Sequence, residues 1–140
     1  VGCALLPCLA TACGPSGLDF RQDHRLSVVA PEGVPTVHLP LAVRWRFLGA
    51  LGVAGGPAQF AVFVDRAPVA PGESLTSLDP AERRGVVLTR ATETTVTSLD
   101  SASTGGGSAE HQVTVVLLDT SGKRIGETSA AVHFYVQESP

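Results

Sequence analysis

Residues 110–137 constrain the fold more than any other stretch of this chain. Residues 110–118 and 125–137 are runs rich in β-branched and aromatic side chains, and the polar turn between them contains Ser121 and Gly122. That pattern predicts a β-hairpin. With Ser121 and Gly122 as a two-residue loop, Val113 falls opposite Ala130, His111 opposite Val132 and Leu117 opposite Gly126, so odd positions of one arm meet even positions of the other. One face is then apolar across both arms, through Val132, Phe134 and Val136. Gln112, Thr114, Ser129, Ala131, His133 and Tyr135 share the opposite, mixed face with Val116 and Leu118. A lone hairpin is marginal in water, so this pair must close a larger sheet built from the preceding residues.

The chain of 140 residues suits one domain with enough length to bury a core. No long segment carries a three-to-four-residue apolar repeat, which leaves a mainly β protein. A formal net charge of −3, with arginines and acids interspersed, gives no basic field for a phosphate backbone and argues against nucleic acid as a partner. The three cysteines, Cys3, Cys8 and Cys13, all precede the β-rich body, which therefore has no disulfide framework. Asn is absent, so no Asn-x-Ser/Thr glycosylation acceptor exists. No apolar run reaches the length of a spanning helix.

Residues 1–12 form an apolar, uncharged run that ends in small residues, as a signal-peptide apolar region does. Leu9, Ala10, Thr11, Ala12, Cys13 and Gly14 together resemble the lipobox of bacterial lipoproteins. The resemblance implies a signal peptide over 1–12, incomplete at its start, with Cys13 as the acylated first residue of the mature chain. Ala10-Thr11-Ala12 also satisfies an ordinary A-x-A cleavage site, and a buried apolar strand would use neither chemistry. Residues 13–23 are then a lipidated tether, and 24–140 the folded domain.

Within that domain, residues 25–30 predict a first strand, closed by a turn at Pro31–Pro35. Residues 37–48 predict a longer strand in which Leu39, Leu41, Val43, Trp45 and Phe47 face the core, with an edge or bulge at Pro40. The glycine-rich apolar stretch 49–57 reads as a loop, and 59–64 as a strand that turns a corner at 65–72. Asp79, Pro80 and Glu82 predict one short helical turn. Strand candidates at 86–90 and 94–99 are separate, or one strand with a bend, and 100–109 with its three glycines is a loop. About seven strands with a tryptophan in an early one point to an all-β, two-sheet sandwich. The strand and corner at 60–69 and the hairpin at 115–127 resemble the middle and end of bacterial immunoglobulin-like domains. The resemblance implies an immunoglobulin-like fold over residues 25–137 and carries no activity.

No residue pattern supports catalysis. Ser74 lacks the second glycine of a nucleophile elbow, and no phosphate loop, dinucleotide fingerprint or paired zinc cysteines occur. The body offers neither Cys nor Met for a copper site of the blue type. His111 and His133 fall on opposite faces of the hairpin, whereas His24 and His38 meet if the first two strands pair, which makes them weak metal candidates. No cofactor is expected beyond the covalent lipid on Cys13.

An immunoglobulin-like topology gathers the N-terminal end, the loop after the second strand and the hairpin tip at one pole. Phe47, Leu48, Leu51, Val53, Lys123 and Arg124 are then candidate contacts with a membrane or a partner, unless the loop folds back as a cap. The expected function is a lipid-anchored, non-catalytic binding or scaffolding module on the outer face of the cell membrane or in the periplasm. Its partner is then an integral membrane protein or a cell-surface component. The alternative is a periplasmic module for a small ligand or metal.

Overall fold

In the computed structural model, which describes residues 24–99 and 110–137, β7 (Glu110–Leu118) and β8 (Arg124–Val136) form the expected antiparallel pair. The register differs from that of a two-residue loop. Val113 lies opposite Val132, His111 opposite Phe134 and Val115 opposite Ala130, two residues further along β8. The cause is a wider tip and a bulge. Asp119 N donates to Lys123 O at 2.9 Å, which makes 119–123 the loop, and the ladder is interrupted between Val116 and Leu118, where β8 passes through Gly126 at φ +61°. Over residues 110–116 the shift is even and leaves each side chain on its expected face, because the strand period is two. Beyond the bulge Leu118 lies opposite Arg124, an odd shift that turns Arg124 toward Val69 and Ile125 toward the main core.

The strands before the hairpin are β1 (Leu26–Ala30), β2 (Thr36–Val37), β3 (Leu41–Phe47), β4 (Gln59–Val64), β5 (Val87–Thr89) and β6 (Glu93–Val96). They make an all-β, two-sheet structure: a three-stranded sheet in the order β1-β3-β6 and a five-stranded sheet in the order β2-β8-β7-β4-β5. The expected single strand over 37–48 is split. β2 runs parallel to β8 in the large sheet, whereas β3 pairs with β1 and β6 in the small one. Pro40 lacks an N–H to continue a ladder, so the chain changes sheets there. The candidates at 86–90 and 94–99 likewise fall in different sheets, as the shorter β5 and β6.

Between the sheets, Val43, Trp45, Phe60, Val62, Val96, Val113, Val115, Leu117, Val132 and Phe134 pack as one core. The alternation of β3, with Leu41, Val43 and Trp45 buried and Ala42, Arg44 and Arg46 exposed, is that of a strand with one wet face. β4 does not alternate: Phe60, Ala61, Val62 and Phe63 are all buried. Its outer face and that of β7 carry a second core of Ala61, Phe63, Val116 and Leu118 beneath Val69 and Leu75. The covering strap, residues 66–86, ends in the short helix α1 (Pro80–Arg84), whose capping box is the predicted one. Asp79 Oδ1 accepts from Ala81 N and Glu82 N, both at 2.8 Å, and Glu82 reaches back to Asp79 N. The signal peptide expected over 1–12, the tether expected over 13–23 and the loop expected over 100–109 lie outside the described residues.

Candidate functional site

Three segments meet at one end of the sandwich. Leu26 pairs with Phe47, and Leu48 N donates to Arg25 O at 2.7 Å, so the chain enters beside the loop that follows β3. Ala58 N donates to Leu118 O at 2.7 Å, which brings the other end of that loop to the tip of the β7–β8 hairpin. A furrow of about 350 Å³ lies between loop and tip, lined among others by Val53, Gly55, Asp119 and Ile125.

The candidate contact residues divide at this pole. Phe47 is half-buried, with its ring edge-on to Phe60 at 5.8 Å, and Leu51 packs against the main core. The Phe47 ring also lies against Gly49, where an added Cβ would force the ring to shift. Leu48 and Val53 instead stand in solvent, 60 % and 59 % exposed. The loop is thus a cap through Phe47 and Leu51 and presents an apolar surface through Leu48 and Val53.

The two basic residues also separate. Lys123 is exposed, but Arg124 is buried and does not present its charge outward. Its guanidinium donates from Nη1 to Val69 O at 2.8 Å and from Nη2 to Glu127 O at 3.3 Å, and its backbone N donates to Glu73 O at 2.8 Å. Burial lowers its pKa, and the carboxylate of Glu127 partly offsets that. Arg124 therefore fastens the strap to the hairpin, a role that charge alone does not reveal in the sequence.

Asp119 shapes the tip. Its Oδ1 accepts from Ser121 N at 2.8 Å, Ser121 Oγ at 2.6 Å and Lys123 N at 3.0 Å. The Ser121 hydroxyl, followed by the Lys123 amide, holds its pKa below the ordinary aspartate value. A depressed folded pKa means that the contribution of the carboxylate is complete above the unfolded value, about 3.9, and is lost as the pH falls through the lower folded value. In an acid titration followed by NMR, the Ser121 and Lys123 amides are expected to stay in place down to about pH 4 and to move together below it. Asp119→Asn, which keeps an acceptor without a charge, is expected to abolish that movement. Unchanged titration in the variant would assign the tip's acid response to another group.

His24 and His38 do not meet. β1 and β3 do pair, but antiparallel, with Leu26 at Phe47. His24 therefore lies at this pole, and His38 lies before Leu41 at the other, roughly a 20 Å strand length away for seven residues. Among the described residues no group of three or more His, Cys, Asp or Glu side chains is placed to hold a metal. Cys13 lies outside the described residues.

The opposite pole has a polar pair that the sequence reading missed. Asp65, at φ +53°, meets His111 Nδ1 with Oδ2 at 2.8 Å and accepts from Gln112 N with Oδ1 at 2.9 Å. His111 is 4 % exposed and stacked on Phe134. The available signal was an aspartate closing a continuous apolar strand, a position that favours left-handed backbone and local hydrogen bonding. No protein-family model, curated protein or solved structure matches this chain, so the reading of the site rests on its own geometry.

Proposed function

We propose that the protein is a lipid-anchored extracytoplasmic domain of immunoglobulin-like fold. It binds or scaffolds an integral membrane protein and catalyses nothing. The observation that carries this reading is the convergence of chain entry, the apolar loop and the hairpin tip at one pole, with Leu48, Val53 and Lys123 outermost. A tether ending in an acylated Cys13 would lead into that same pole. The apolar and cationic surface beside the acyl chains would supply a second attachment, to headgroups or to a membrane subunit. The immunoglobulin-like assignment is supported by the strand order, with β1 in the smaller sheet, the following β2 parallel to β8 at the edge of the larger one, and the last hairpin inside that larger sheet.

The test is intact mass of the chain extracted from membranes with detergent, with co-purifying proteins identified. The expected species begins at acylated Cys13 and carries a stoichiometric membrane protein. Leu48→Asp with Val53→Asp is expected to lose that protein while melting as the parent does, because both side chains are exposed. An unmodified chain in the soluble fraction would sink the anchored reading.

A further inference from the structure

The two sheets differ in width, and the difference leaves a place for one more strand. At one side β1 touches β8. At the other side β6 and its continuation meet β4 and β5 across an open cleft of about 230 Å³, lined by Val62, Val64, Val87, Thr94 and Val96 and, just past β4, by Asp65 and Arg66. Val87 pairs with Val62, so its side chain faces the same way as that core residue. It is nonetheless 43 % exposed. Among the described residues, no strand of the small sheet lies over β5.

The free edge of β6 has a defined hydrogen-bonding phase. Trp45 N donates to Thr92 O at 3.0 Å, and the register continues Val43 to Thr94 and Leu41 to Val96. Residues 92, 94 and 96 therefore turn their backbone groups toward β3, and Glu93, Thr95 and Thr97 turn theirs outward. Natural sheets guard such edges with prolines, bulges, lysines or very short strands. The other side of this sandwich is guarded: β1 is bulged between Val28 and Ala30 and followed by Pro31, and the two residues of β2 sit between Pro35 and Pro40. Here residues 94–98, in β6 and just past it, and residues 86–89 around β5 contain no charge, no proline and no glycine, and the one charged residue of β6, Glu93, has its carboxylate 3.7 Å from Arg44 of β3.

From this we infer that the β6 edge is a β-augmentation site for a single extended segment of a partner polypeptide. The segment lies over β5, with small or β-branched uncharged side chains toward Val87. The overhang of β5 selects that occupant. Pairing β6 with β6 of a second copy would bring that copy's β4 into the space β5 already fills. An edge of five residues, about 17 Å long, is also far too small to supply the ~1,200 Å² of a stable interface between two folded domains. A lone strand gains main-chain bonds from Glu93, Thr95 and Thr97 and specificity from the side chains it lowers into the cleft. This surface lies on the flank of the sandwich and is independent of the anchored pole.

The probe is a nine-residue peptide of alternating threonine and valine with a lysine at each end, titrated into the full chain to about 1 mM, with backbone amides followed by NMR. The expected result is saturable shifts and slowed hydrogen exchange at Glu93, Thr95 and Thr97. Val87→Lys, at an exposed position that leaves folding intact, is expected to weaken binding about tenfold or more by placing a charge beneath the inserted strand. A melting curve confirms that the variant is folded. Absence of saturable shifts, equal binding by the variant, or shifts confined to β1 and β2 would overturn the proposal. So would amides at Glu93, Thr95 and Thr97 already protected in the free chain, which would mean that its own residues 1–23 or 100–109 fill the slot.

Discussion

Replacing Phe60 by alanine is expected to cost about 4 kcal/mol of folding stability, a large part of what a domain of this size possesses. Phe60 is 1 % exposed and stands on the inner face of β4, between its neighbours β7 and β5. Trp45 meets its ring edge-on at 5.5 Å and Phe47 at 5.8 Å, so truncation removes two aromatic contacts as well as the transfer of the ring from water. The cavity cannot collapse easily, because β4 is held by ladders on both sides. Phe60→Leu, which retains most of the volume, is expected to lose about 1–2 kcal/mol. Urea unfolding of the three proteins measures the series, and a loss below about 1.5 kcal/mol for alanine would show that the sheets do not close on this residue. The effect also reaches the candidate site. Phe60 supports Phe47, and Phe47 lies against Gly49, so the loop bearing Leu48 and Val53 is expected to lose amide protection before the rest of the variant unfolds.

What could be read from the sequence was whatever local chemistry decides. The faces of β3, of β7 and of β8 beyond its bulge follow from a period of two, and the α1 cap follows from Asp79, Pro80 and Glu82 acting on their own neighbours. What could not be read was set by pairing at a distance. The register of β8 depends on a loop organised by Asp119, and no alternation of apolar residues reports which oxygen accepts from Lys123. Pro40 was visible as an interruption, but an edge, a bulge and a change of sheet all satisfy a missing N–H, and only the partners of β2 and β3 choose among them. Arg124 reads as a surface cation beside Lys123 because its acceptor, Val69 O, is 55 positions away. The second core followed the same rule. Residues 60–63 are apolar at every position, a pattern of burial on both faces, but the strap that covers them is rich in proline and polar residues.

Asp65 offers the sharper test of that distant chemistry, because its substitutions separate hydrogen bonding from backbone strain. The carboxylate only accepts, so the proton in the 2.8 Å contact with His111 is on Nδ1, and the second oxygen accepts from Gln112 N. Asp65 N completes the clamp by donating to Gln112 O at 2.8 Å, and that bond survives any change of side chain other than proline. Asp65→Ala removes both acceptors, leaves a buried imidazole N–H unpaired and keeps a Cβ in left-handed backbone; a loss of about 3 kcal/mol is expected. Asp65→Gly removes the same acceptors but relieves the strain, so it should be more stable than the alanine variant by about 1 kcal/mol. Asp65→Asn tolerates the backbone and keeps an oxygen for Gln112 N, while its amide can donate to Nδ1 of the other His111 tautomer, so a loss of about 1 kcal/mol or less is expected. The order Asn, Gly, Ala in falling stability is the signature of a clamp that both bonds and bends the chain. If alanine and glycine were equal, the strain would be negligible. If all three matched the parent, the contact with buried His111 would contribute nothing to the corner from which the strap departs.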